Sequence, residues 1–208
     1  MRLRLKSYIG AYSGCRSFVI DSLKDERHDG EALAFFYCDF GNERSTSAAE
    51  VMRSLLFQLL RQIRNENIDP GDLVDDLARE KNDDTPILEN VKHLATFVCK
   101  TAKRFSHQPF VVVDALDECK DMKKLLDGLL LLTKGGIRLF VTSRPLQAIK
   151  DGLCGLPFIS MDEMTSALSN DIALHVTREL DSSPQLRVLD LPFKTKIHSI
   201  LCGRADGM

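Results

Sequence analysis

Phe110-Val111-Val112-Val113-Asp114-Ala115-Leu116-Asp117-Glu118 decides how the rest of the chain is read. Four apolar residues run without polar alternation into an aspartate, and two further acids follow within four positions. Such a run suits a strand buried on both faces of a parallel sheet. The strand would present its last carboxylates at the carboxyl edge, where open α/β sheets bind ligands. Acids crowded there repel one another unless a cation or a phosphate–magnesium complex sits among them. A buried strand that ends in an acidic, solvated turn is the plainer alternative.

Strands and helices alternate on both sides of this stretch. Arg2 to Ile9 reads as a first strand and Phe18 to Lys24 as a short helix. Leu33-Ala34-Phe35-Phe36-Tyr37-Cys38 is apolar and aromatic-rich, as strands are. Ser47 and Glu50 have capping-box spacing, and a helix to about Arg64 should follow with Val51, Leu55, Leu56, Leu59, Leu60 and Ile63 on one face. Asp72 to Lys81 reads as a short helix. Thr85 as cap and Pro86 in a first turn open a further helix through Ala102. Lys120 to Lys134 is helical and closes at Gly135-Gly136. Ile137 to Thr142 and Pro157 to Ser160 read as the last strands. Ser169 caps a helix through Leu180, and Phe193 to Cys202 forms the final one. The alternation predicts an α/β fold with a mainly parallel five-stranded sheet over residues 1–162. Residues 163–208 carry helices only and form a small C-terminal helical appendage.

Composition narrows the function classes. The chain has 208 residues, enough for one α/β domain with added helices. Lys and Arg total 28 against 30 Asp and Glu, a formal charge of −2, which argues against a nucleic-acid module driven by net positive charge. Cysteines stand at 15, 38, 99, 119, 154 and 202 with no Cys-x-x-Cys pair and no zinc-like histidine spacing. They read as thiols in a reducing compartment. Met1-Arg2-Leu3-Arg4-Leu5-Lys6 lacks the apolar core of a secretory signal. Leu125 to Leu132 is too short to span a bilayer. The expectation is a soluble, cytoplasmic protein with no membrane and no nucleic-acid partner. Histidines 28, 93, 107, 175 and 198 show no ligand spacing.

Two more stretches bear on chemistry. Gly10-Ala11-Tyr12-Ser13-Gly14-Cys15-Arg16-Ser17 overlies the phosphate-loop frame Gly-x-x-x-x-Gly-Lys-Ser/Thr. Gly10 and Ser17 match that frame; Cys15 replaces the second glycine and Arg16 the lysine. A side chain at the second glycine restricts the backbone that wraps phosphate, and a planar guanidinium aims differently from an ammonium. Arg138-Leu139-Phe140-Val141-Thr142-Ser143-Arg144-Pro145 follows the acidic strand by one helix and puts polar groups and a cation at the same sheet edge. Arg144 could reach a γ-phosphate there, or pair with Asp117 or Glu118 at the surface.

Leu33 to Asp39, Ser54 to Leu60, Val111 to Glu118 and Val141 to Pro145, in this order, resemble the NACHT-type module of signal-transducing P-loop NTPases. The nephrocystin-type N-terminal module of many fungal NOD-like proteins, often followed by ankyrin repeats, is the most similar form. The resemblance runs from about Gly10 over nearly the whole chain, and includes Asn170 to Val176. It implies a P-loop NTPase-like three-layer sandwich and a nucleotide-binding switch using magnesium and ATP or GTP. By the same resemblance, Gly10, Gly14, Arg16 and Ser17 would cradle the phosphates. Ser17 and Asp114 would hold magnesium. Asp117 and Glu118 would polarise water, and Arg144 would sense the γ-phosphate. Hydrolysis would be slow or absent. A second reading keeps the fold as a pseudo-NTPase scaffold for self-association or a protein partner. With no effector domain before the core and no repeats after it, the chain reads as a fragment.

Overall fold

The computed structural model describes residues 18–28, 30–39, 41, 47–73, 75–76, 89–160 and 165–204. The predicted strand at Arg2 to Ile9, the loop at Gly10 to Ser17 and the helix start at Thr85-Pro86 lie outside them. Contacts divide the chain into two units, with Val19–Leu156 forming one and Pro157–Met208 belonging to the other.

In the first unit three strands, β1 (Leu33–Tyr37), β2 (Phe110–Asp114) and β3 (Arg138–Val141), form a parallel sheet in the order β1-β2-β3. Tyr37 lies opposite Asp114, and Val113 opposite Val141. Val111, Val112 and Val113 have no exposed surface, as the unbroken valine run requires. One face carries Ala34, Val111 and Val113 into a core with helices α2 (Ala48–Asn65), α3 (Val91–Ala102) and α4 (Met122–Lys134). The other face joins Leu33 and Val112 to Ile20 of α1 (Phe18–Asp25). The alternation along β1 thus sorts its side chains between two helical layers. Gly128 lets α4 lie close to its neighbours, since a Cβ there would stand 2.6 Å from Met52 Cε and 2.8 Å from Val91 Cγ1. A short α5 (Gln147–Gly152) ends this unit and anchors it through buried Ile149.

Several local expectations change. The sheet has three strands among the described residues rather than five: residues 157–160 form no strand, and Arg2 to Ile9 lies outside those residues. Ser47 stands at the N-cap of α2, but its hydroxyl makes no cap bond; Glu50 turns to Arg53 at 2.6 Å instead. An i,i+3 guanidinium outcompetes the backbone amide for that carboxylate. Helix α3 begins at Val91. Asn90 caps it by accepting from the Lys92 and His93 amides at 3.0 and 3.3 Å.

Two polar devices hold the sheet's margins. At its amino end, Arg138 donates to Glu31 Oε1 at 3.0 Å and to the Gln108 carbonyl at 2.5 and 3.0 Å, and lies 3.6 Å over the Phe110 ring. Along the outer edge of β1, Gln62 accepts from the Leu33 amide and donates to its carbonyl, at 3.1 and 2.9 Å. Gln58 does the same for Phe35, at 3.1 and 2.7 Å.

The second unit contains α6 (Thr165–Ser182) and α7 (Leu191–Arg204). Helix α6 begins before the predicted cap at Ser169, which falls inside it. His198 Nε2 lies 3.3 Å from the Ala173 carbonyl, and Lys194 pairs with Asp181 at 3.0 Å, so polar contacts join the two helices.

Candidate functional site at the carboxyl edge of the sheet

Asp114 is the last residue of β2, and Thr142 follows the last residue of its neighbour β3. Parallel register therefore brings the two side by side. The Thr142 hydroxyl donates to Asp114 Oδ1 and accepts from the Ala115 amide at 3.0 Å. No described residue donates to Asp114 Oδ2 through any bond in this network. The threonine thus fixes one carboxylate oxygen.

Ala115 has φ 55° and ψ 49°, a left-handed conformation that costs an alanine about 1 kcal/mol. Two bonds to Thr142 hold it there: the Ala115 amide to the hydroxyl, and the Leu116 amide to the carbonyl at 2.9 Å. The bend has a visible result. Leu116 tucks into the core with no exposure, and a single turn of 3₁₀ helix (Leu116–Glu118) carries Asp117 back toward the end of β3.

Asp117 then closes the loop after β3. Its Oδ1 accepts from the Arg144 amide at 2.9 Å, and its Oδ2 lies 3.4 Å from Arg144 Nε. The aspartate side chain is 8% exposed and that of the arginine 77%. The guanidinium reaches outward from a buried anchor, and the surface pairing foreseen for Arg144 is the one present. Asp117 holds the turn that positions Arg144. Glu118 is half-buried beside it.

Cys38, buried just past β1, reports the charge collected here. Its thiol is pushed up to about 12, first by burial and then by the nearby Cys119, Glu118, Asp114 and Asp117. Three carboxylates thus act on one sulfur at the strand ends. Burial likewise raises the Cys119 and Cys99 thiols, so all three are inert groups of the core or its margin.

Asp114, Asp117, Glu118 and Arg144 therefore meet at one rim. Gly10, Gly14, Arg16 and Ser17 lie outside the described residues. Thr142 is the member whose partner the sequence does not reveal; the only available signal was its place one step beyond the residue paired with Val113. Among the described residues no group of three or more His, Cys, Asp or Glu side chains is arranged to hold a metal. A magnesium ion held by one carboxylate, phosphate and water needs no such cage, and a half-buried strand-end carboxylate such as Asp114 suits that mode. Described helices also include none long and apolar enough to cross a membrane.

The family model for the N-terminal region of nephrocystin 3 matches residues 13–144. The chain belongs to the nephrocystin 3 N-terminal family. The match covers more than half of the chain, takes in Ser17 and the strand ends, and closes at Arg144. No curated protein and no solved structure gives a significant match.

Proposed function

We propose that this nephrocystin-type domain is a NACHT-like nucleotide-binding switch, with magnesium and ATP or GTP at the carboxyl edge of its sheet. The observation that carries the reading is the Asp114–Thr142–Ala115 knot beside Arg144: a strand-end carboxylate with one oxygen fixed by Thr142, a strained turn, and an exposed guanidinium on a buried anchor. Strain of this kind concentrates at ligand sites.

Topology supports the same rim. The steps from β1 to β2 and from β2 to β3 cross the face covered by α2, α3 and α4, whereas α1 lies on the opposite face. Crossovers between parallel strands are right-handed, so one that uses the opposite face must step in the opposite direction. A strand preceding α1, such as Arg2 to Ile9, would then come to β1 from the β3 side. The outer edge of β3 has no strand partner among the described residues. A strand there would deliver the Gly10 to Ser17 loop beside Thr142 and Arg144. With a further strand the sheet would approach the five-stranded P-loop form, with a core over 1–162 and an appendage over 163–208.

In that arrangement magnesium would neutralise phosphate charge. Asp114 would hold it with Ser17, and Thr142 would keep the Asp114 carboxylate aimed at it. Arg16 and the loop amides, including those of Gly10 and Gly14, would bind the phosphates. Arg144 would approach the terminal phosphate, and Glu118 would orient water. Such chemistry depends on positioning and charge more than on covalent help. The described cysteines are free, which fits a reducing, cytoplasmic setting.

Magnesium–nucleotide at about a hundred times its dissociation constant should stabilise the domain by roughly 2.7 kcal/mol. A thermal-shift series with ATP and with GTP reads this directly, and an unmoved transition with both would oppose the switch. Cys15→Gly with Arg16→Lys restores the loop frame and should tighten binding about tenfold, equal to about 1.4 kcal/mol. Unchanged affinity in a calorimetric titration would mean that this loop does not meet phosphate.

The pseudo-NTPase scaffold has specific support of its own. Cys15 and Arg16 depart from the loop frame, and Asp117 is committed to Arg144 rather than to a water. On this reading the same rim is a structural knot, and self-association or a protein partner is the function.

A further inference from the structure

We infer that the outer edge of β1 is a latent self-association surface, matched to β1 of a second copy of this chain and kept closed by Gln58 and Gln62. The backbone alternates sides along a strand. Phe110 donates to the Ala32 carbonyl and Cys38 to the Asp114 carbonyl, so even-numbered residues turn toward β2. Leu33 and Phe35 therefore turn their peptide groups outward, as an edge strand does.

Helix α2 meets those groups with a surrogate strand. Gln62 and Gln58 stand four residues apart on the helix, a rise of about 6 Å. Leu33 and Phe35 stand two apart on the strand, a rise of about 6.6 Å. The two spacings nearly coincide, so each carboxamide engages one residue's amide and carbonyl together. A carboxamide is the neutral side-chain group that offers a donor and an acceptor in the geometry of a peptide. Its orientation is fixed from behind. Arg27 donates to Gln62 Oε1 at 3.1 Å, Gln62 donates to the Gln58 carbonyl at 3.0 Å, and Gln58 donates to the Ser54 hydroxyl at 3.2 Å.

The excluded partner follows from the strand itself. Leu33-Ala34-Phe35-Phe36-Tyr37 contains no charge, no proline and no glycine. Short uncharged segments rich in aromatic residues pair readily with copies of themselves. Most sheet edges are protected by lysine, proline or a bulge, and β1 carries none of these. Its protection is supplied by α2. Two opened copies would meet edge to edge across a two-fold axis, each offering the outward groups of Leu33 and Phe35.

Gln58→Met with Gln62→Met keeps length and bulk but removes every one of these bonds. Sedimentation velocity of the full chain should then show a concentration-dependent dimer that the parent does not form at the same concentrations. Hydrogen exchange should show the Leu33 and Phe35 amides protected about a hundredfold or more in the parent. In the double variant they should be unprotected at low concentration and protected again as it dimerises. A double variant that melts cooperatively and remains monomeric at high concentration would overturn the inference. If the double variant does not fold, the single Gln58→Met variant should show the same association more weakly, and a folded single variant with no association would also overturn it. Rapid exchange of both amides in the parent would do so without any variant.

Discussion

Replacing Arg138 with alanine should destabilise the domain by about 3 kcal/mol, the lower end of the loss expected when one member of a covered ion pair is removed. The guanidinium serves three neighbours at once. It bonds Glu31, whose side chain is 9% exposed, and the Gln108 carbonyl, and it covers the Phe110 ring. Alanine would leave the carboxylate covered without its cation. Glu31 lies at the rim and is covered by its partners, not by deep core, which keeps the loss from being larger. Arg138→Lys retains charge but cannot form the fork, and should lose roughly half as much. Urea unfolding of the three proteins measures the series, and a change below about 1 kcal/mol for alanine would contradict it.

The same cluster fixes an acid dependence. The His28 amide and then the Arg138 hydrogen bond hold the Glu31 carboxyl below its ordinary value of 4.5, against the opposing effect of burial. The carboxylate form is thus favoured by folding. Its contribution is complete above about pH 4.5 and is lost as pH falls through the depressed folded value. Glu31→Gln should flatten the fall in melting temperature between about pH 5 and about pH 3. An equally steep fall in that variant would place the acid sensitivity elsewhere.

Asp114→Asn should weaken magnesium–nucleotide binding about a hundredfold, or roughly 2.7 kcal/mol, while leaving the fold intact. Asparagine keeps an oxygen for the Thr142 hydroxyl, so the knot that holds Ala115 survives. It loses the negative charge that a hard cation requires. The expected signature is a loss of magnesium dependence rather than of stability. Equal titrations with and without magnesium in the variant, against a strong difference in the parent, would establish it. An Asp114→Asn protein that binds as tightly as the parent would remove Asp114 from any metal role.

Much of the central sheet was legible from patterning. The valine run forced a two-faced buried strand, and the strands expected at Leu33 to Cys38 and Ile137 to Thr142 are present over Leu33–Tyr37 and Arg138–Val141, where they flank it. Helix boundaries were less legible, because capping depends on competition. Glu50 had two possible partners, and its choice of Arg53 over the backbone could not be read from spacing. Pro157 to Ser160 is apolar enough for a strand, but lacks a described partner strand to pair with. At the candidate site the acids and Arg144 were visible as residue types. The pairing of Asp117 with the Arg144 backbone and the Thr142 bond were not, since both arise from the left-handed turn at Ala115. A non-glycine residue in that conformation gives no mark in the sequence. The two glutamines of α2 were hidden for another reason: on a polar helical stripe they look like solvent-facing residues until β1 is set beside them.

Equilibrium titration of the full chain with ATP and with GTP, in the presence and absence of magnesium, tests the nucleotide site most directly. The account predicts saturable binding of at least one nucleotide that strengthens at least about tenfold with magnesium. Absence of binding by the folded protein at millimolar nucleotide, with magnesium present, would contradict it.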